Sequence, residues 1–383
     1  LNDIRRPDGT DFETDEKRNE HITNFYSSLY RKDETVAGEI EAFLGPEICA
    51  HPLVEGSKLT EAERDALDAP LRIEELDTAL NKANVKSAPG IDGFTYRYII
   101  RFWHLYRNAL FECAKESLDT GVMPDAFRTA SIRLIPKKGD TGQIKNWRPI
   151  SLLSNFYKII SRLINNRLKK ITDRVLSRSQ KGFNKSRQIQ EVIINTMETM
   201  DYCKRHNIRG VMVSVDISKA FDSVDHNYME KVYRFFGFGA QIRKWLATIG
   251  TGRNAQIILA NNELAAAFEL EKGHAQGDSL SPLLYNMAAQ ICIWKIELDP
   301  QILSVYDPTL VPAPALPPVP CIRNQEKFSH ESNRETNKNE SFADDANNFT
   351  ILDFGSLNRL KEILAEFRKI SGLSCNVEKT CIM

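Results

Sequence analysis

The run Val211-Met212-Val213-Ser214-Val215-Asp216 has the pattern of a largely apolar strand that ends on an acid. Far downstream, Ser341-Phe342-Ala343-Asp344-Asp345-Ala346 leads into Asn347-Asn348-Phe349-Thr350-Ile351-Leu352, the pattern of a hairpin with two acids at its tip. If these three carboxylates act together, the two segments must meet across everything that lies between them. Few carboxylates with open coordination positions suit Mg²⁺, which takes oxygen ligands at about 2.0 to 2.1 Å and retains water. Two such ions about 3.5 to 4 Å apart stabilise both the attacking and the leaving oxygen of a displacement. Neighbouring side chains in a strand point to opposite faces. Asp344 is therefore the expected shared ligand with Asp216, and Asp345 the auxiliary acid. Taken alone, adjacent aspartates also fit a solvated turn.

At 383 residues the chain has material for two or three packed subdomains. Its seven cysteines are scattered and include no Cys-x-x-Cys pair, which excludes a zinc module of that spacing and gives no disulfide framework. A reducing, intracellular setting is expected, with nucleus and cytoplasm not distinguished. No long apolar run indicates a membrane span, and the start Leu1-Asn2-Asp3 suggests a fragment. Net charge is zero but unevenly spread: residues 1–80 hold 9 Lys+Arg against 20 Asp+Glu, whereas residues 128–187 hold 16 against only Asp140 and Asp173. That second excess is the footprint of a surface that tracks phosphates. Part of it, Asn155 to Ile171, also shows helical apolar spacing, so a solvated basic helix face fits the same residues.

Residues 1–85 read as an acidic helical extension, with apolar periodicity at Ile22, Phe25, Tyr26 and Leu29 and no evident chemistry. Residues 86–210 form the basic region. A turn-rich Ser87-Ala88-Pro89-Gly90-Ile91-Asp92-Gly93 precedes a helix to about Thr120, and the strand pattern from Ala130 to Pro136 feeds the polar loop Lys137-Lys138-Gly139-Asp140. Residues 211–299 carry the Asp216 strand, a helix capped near Asp225, a hairpin through Asn261-Asn262, and a glycine-containing entry, Gly273 to Pro282, to a helix ending near Leu298. Residues 300–340, rich in Pro and then in Glu, Asn, Lys and Ser, read as a disordered insertion. Residues 341–383 carry the acid hairpin and a last helix that ends at Gly372.

With Val215-Asp216-Ile217-Ser218-Lys219-Ala220-Phe221-Asp222, then Gln276-Gly277 with Ser281-Pro282, then Phe342-Ala343-Asp344-Asp345 in order, the chain resembles the reverse transcriptase of non-LTR (LINE-type) retrotransposons. Trp147-Arg148-Pro149-Ile150, Gln180-Lys181-Gly182-Phe183 and Gly372 to Thr380 extend the match, which runs from about Lys86 to Met383. The resemblance implies an α+β right-hand polymerase of fingers and palm, with an antiparallel palm sheet and packed helices, the thumb missing from this stretch. It implies an RNA-directed DNA polymerase that extends a DNA primer on an RNA template from deoxynucleoside triphosphates, holding an RNA-DNA hybrid and two Mg²⁺ ions, with Mn²⁺ a possible substitute.

By the same resemblance Asp216, Asp344 and Asp345 are the catalytic and metal-binding triad. Lys137 or Lys138, with Arg148, grip the triphosphate. Phe221 is the aromatic gate that crowds the sugar 2′ position and selects deoxynucleotides. Gln276 and Gly277 line the nucleotide, and Lys379 is the acid that protonates the leaving pyrophosphate. Ala275 stands where the family usually has Pro, and Phe342 where Tyr is commoner. Without a thumb, grip on a hybrid is expected to be weak and salt-sensitive. A degenerate, catalytically inactive RNA-binding protein of retroelement origin is the alternative. An RNA-directed RNA polymerase would share the acids but not the gate.

Overall fold

The computed structural model describes residues 1–34, 36–184, 186–307, 338–343 and 345–383. Asp344 and residues 308–337 of the expected insertion thus lie outside the described residues. Within the remainder of that insertion, Ile302 and Val305 are buried and Asn339 and Glu340 belong to a strand. The fold is α+β. The strands, in chain order, are β1 (Thr129–Pro136), β2 (Trp147–Leu152), β3 (Gly210–Ser218), β4 (Arg253–Ile257), β5 (Phe268–Leu270), β6 (Asn339–Phe342), β7 (Asp345–Ile351), β8 (Ser374–Cys375) and β9 (Cys381–Ile382). No helix among the described residues is long and apolar enough to cross a membrane.

The chain divides into two units, each assembled from three segments. The first comprises Leu1–Val36, Lys58–Thr172 and Lys219–Tyr285; the second comprises Ala37–Ser57, Asp173–Ser218 and Asn286–Met383.

In the first unit β2, β1, β4 and β5 form a mixed sheet in that order, with β1 and β4 parallel and the outer pairs antiparallel. Pro149 fits because β2 is an edge strand, where a missing backbone N–H breaks no ladder. The helix Asp15–Tyr30 begins at Thr14, whose hydroxyl accepts from Lys17 N–H, and carries Asp15 and Glu16 in its first turn, where the helix dipole favours acids. Ile22, Tyr26 and Tyr30 recur every four residues along one face and are buried. They share a core with Ile132, Leu134, Trp147, Ala255, Ile257 and Leu270 of the sheet. At about 1.5 to 3 kcal/mol for each large apolar side chain buried, this stripe is enough to hold a short helix in place.

The second unit is built on an antiparallel sheet ordered β6, β7, β3 and β8, with β9 also on β3. Val211, Val213 and Val215 are buried on one face of β3, so Met212, Ser214 and Asp216 share the other. The helix Phe354–Ser371 starts at Asp353, whose carboxylate accepts from Ser356 N–H, and stops at Gly372 in the left-handed region.

Candidate active site

In the second unit the register of β3 against β7 sets Asp216 directly opposite Asp345. Directly opposed residues of an antiparallel pair lie on one face with Cβ atoms about 4.5 to 5.5 Å apart, so two carboxylates meet at the end of β3. β6 and β7 close as a hairpin in which Phe342 pairs with Asp345. Ala343 holds a φ of +60°, a conformation that costs a residue with a Cβ roughly 1–2 kcal/mol. Its N–H donates to Gln180 Oε1 and its carbonyl accepts from Gln180 Nε2, which offsets that at about 0.5–1.5 kcal/mol each. Among the described residues no third His, Cys, Asp or Glu joins the acidic pair as a metal-holding group.

Lys379 is brought to the same place by backbone pairing. β8 and β9 both lie on β3, and the turn between them is tied down where Asn376 N–H donates to the carbonyl of Asp216 at 2.8 Å. The Lys379 ammonium then stands 3.3 Å from Asp216 Oδ2. Oxygen donors presented from paired rigid strands, one balanced by a movable ammonium, fit a hard divalent cation.

The first unit holds the other expected residues. Phe221 lies on the short helix Ala220–Ser223, half-buried, its ring 5.2 Å from that of the fully buried Tyr285. Lys219, just before it, adopts a left-handed backbone and places its ammonium 4.5 Å from the centre of the Phe25 ring. Gln276 donates its side-chain N–H to Asp222 Oδ2 at 2.8 Å, and its carbonyl accepts from Ser151 N–H of β2 at 2.8 Å. Gly277 follows with a φ of +126°, and a Cβ there would stand 2.7 Å from the Ser151 carbonyl oxygen. Glycine is therefore required for the loop to lie against β2. Lys137 and Lys138 lie at the end of β1, where Lys137 N–H donates to the Asn146 carbonyl. Arg148 of β2 faces Ile135 across the ladder, is exposed, and makes no side-chain hydrogen bond or ion pair among the described residues.

Asp222 ties this group together, a role that its place in the motif does not announce. It is buried, accepts from Tyr30 Oη at 2.8 Å on one oxygen and from Gln276 on the other, and burial pushes its carboxyl up to about 6. The following loop is fixed where Gly273 and His274 N–H groups donate to the carbonyls of Val224 and Phe221. Not all of the basic run serves a surface, either. Arg167 is buried and donates to Glu75 and to the carbonyls of Leu67, Ala69 and Pro70; Lys158 and Lys181 are buried as well.

Residues 135–383 match the family described as reverse transcriptase (RNA-dependent DNA polymerase). The chain belongs to this family. A Xenopus laevis protein named transposon TX1 uncharacterized 149 kDa protein is 29% identical over 306 residues, covering 79% of this chain and 23% of that protein. The RNA-directed DNA polymerase from mobile element jockey of Drosophila melanogaster is 29% identical over 232 residues, 57% of this chain and 24% of its own length. The probable RNA-directed DNA polymerase from transposon BS, also of Drosophila melanogaster, is 27% identical over 238 residues, with coverages of 57% and 24%. This reverse transcriptase family member spans about a quarter of the length of these relatives. The non-LTR resemblance read from the motifs agrees with these relatives, all proteins of mobile elements.

Proposed function

We propose that the chain is the fingers-and-palm part of an RNA-directed DNA polymerase that extends a DNA primer along an RNA template. The observation that carries this reading is the Asp216–Asp345 pair at the end of β3, beside a tight hairpin, in a member of the reverse transcriptase family. Asp216, Asp344 and Asp345 would hold two Mg²⁺ ions, or Mn²⁺ in their place; because Asp345 is the acid set directly opposite Asp216, it is the ligand shared with Asp216 and Asp344 the auxiliary, the reverse of the order expected from the sequence. Bound there, the metal supplies Lewis acidity to a phosphoryl group and lowers the cost of ionising a primer hydroxyl.

The remaining work falls to this chain's own side chains. Arg148 offers a guanidinium fork, and Lys137 or Lys138 an ammonium, to the triphosphate of a deoxynucleotide. Phe221, held by Tyr285, keeps the space by the sugar 2′ position filled. Gln276 is oriented by Asp222, and Gly277 keeps the loop free of a side chain. Lys379 carries protons that suit the departing pyrophosphate, and it must leave Asp216 to deliver one. The protein is read as intracellular.

Primer extension on an RNA template with deoxynucleotides and Mg²⁺ tests the reading. The unaltered chain is expected to extend the primer, and Asp216→Asn or Asp344→Asn to lose at least about 100-fold in rate, more than the loss of an outer-sphere partner usually costs. Extension that survives Asp216→Asn sinks it. RNA binding without any extension would instead favour an inactive binding protein.

A further inference from the structure

The segment Ser179-Gln180-Lys181-Gly182 of the second unit runs beside β6, with Gln180 bridged in parallel to Ser341. Ser341 N–H donates to the Ser179 carbonyl at 2.8 Å, and Lys181 N–H donates to the Ser341 carbonyl at 2.7 Å. Gln180 is completely buried. Its Oε1 accepts from Gly182 N–H at 3.0 Å and from Ala343 N–H at 3.2 Å, while its Nε2 donates to the Ala343 carbonyl at 3.4 Å. One side chain therefore binds both backbone groups of the residue that takes the left-handed turn into the acids. Gly182 completes the fit: a Cβ there would stand 2.2 Å from Ala343 N, and its carbonyl is held by Asn286 Nδ2 at 2.7 Å.

We propose that Gln180 is a positioning residue, fixing the turn at Ala343 so that the acid hairpin meets Asp216 in a geometry that binds metal. This rests on the polymerase reading. The side-chain amide substitutes for the missing neighbour strand of a tight turn, and a turn held at both its N–H and its carbonyl cannot rotate its peptide planes independently. Loosening it leaves every acid in place but spreads their positions. Sites of this kind lose function when a supporting group is removed, without any change in the ligands themselves.

Two substitutions of the full chain separate the possibilities. Gln180→Met keeps length and apolar packing but loses both hydrogen-bonding ends; Gln180→Glu keeps an oxygen for the Ala343 and Gly182 N–H groups. Backbone amide exchange over residues 341–346 is followed by mass spectrometry, and the Mg²⁺ concentration for half-maximal primer extension is titrated, with Ser186→Ala as control. Gln180→Met is expected to speed exchange in that peptide about 10-fold, as the loss of one hydrogen bond does. It is also expected to raise the Mg²⁺ requirement about 10- to 100-fold, with primer-template affinity unchanged. Gln180→Glu should recover the slow exchange.

Wild-type exchange and Mg²⁺ requirement in a folded Gln180→Met protein overturn the proposal, as does faster exchange spread evenly over the whole second unit. Should the methionine variant not fold, Gln180→Glu decides alone: retained protection of 341–346 supports the assignment and lost protection overturns it. An unaltered chain that extends no primer refutes the polymerase reading, and the exchange measurement still judges Gln180.

Discussion

Tyr30 and Asp222 are 192 positions apart and share a buried hydrogen bond, while Asp222 also orients Gln276. The acid stretch around Asp216, the aromatic Phe221 and the Gln276-Gly277 dipeptide were legible because each sits in a short run of fixed order. Tyr30 was not legible, since nothing local to it reports a partner so far along the chain. Its hydroxyl has a measurable consequence. Donation from Tyr30 favours the ionised form of Asp222, so its loss raises that pKa above about 6 and penalises the folded state once the carboxylate must ionise. Tyr30→Phe is expected to cost about 1–3 kcal/mol of unfolding free energy at pH 8, and clearly less at pH 5, where Asp222 carries a proton. Urea denaturation at the two pH values measures the difference; equal losses would mean the hydroxyl acts through packing alone.

The helix Asn155–Leu168 shows how far an element can be read and where reading stops. Its apolar spacing announces a helix, just as Gly121 and Gly372, both left-handed, announce the ends of the helices before them. The same spacing does not tell a solvated basic face from a buried one. Arg167 lies on that helix with its side chain 6% exposed, stacked 5.1 Å from the Trp245 ring and bonded twice to Glu75. Those partners come from segments with no sequence relation to it. The parallel pairing of β1 with β4 was hidden for the same reason, because a strand pattern specifies faces but not neighbours. Removing Arg167 would strand Glu75 and three carbonyls that now have a donor. Arg167→Ala is expected to lose about 3–5 kcal/mol, the range for breaking a buried pair from one side. Arg167→Lys should recover only part of it, since one ammonium cannot serve the planar fork of contacts. Chemical denaturation curves of the two variants check both statements.

At the scale of the whole chain, both units draw on three segments each, an interleaving that follows from strand pairing and that no composition shift marks. Both also enclose titratable groups away from water, and these set how stability follows pH. Burial pushes Asp222 up from 3.8 to about 6, so its contribution is lost as pH rises through that range. Burial pushes His274 down from 6.5 to about 3, so its contribution is gained over nearly the same range, and the two oppose each other. Above pH 6.5 both are complete. Glu297 is different: burial, with Glu340 nearby, pushes its carboxyl up from 4.5 to about 8 despite donation from Ser179 and Ser177. Its folded-state pKa is raised, so stability still falls as pH climbs from 6.5 to 8. Lys338 is buried and depressed from 10.5 to about 8, so its own contribution is gained only above pH 8, outside the range where Glu297 titrates. A fall of about 1–2 kcal/mol between pH 6.5 and 8 is expected from Glu297, and Glu297→Gln, which mimics the protonated acid, should remove it. Denaturation midpoints of the unaltered and Glu297→Gln chains from pH 6.5 to 8 provide the comparison, and parallel curves would show that Glu297 does not change its protonation there.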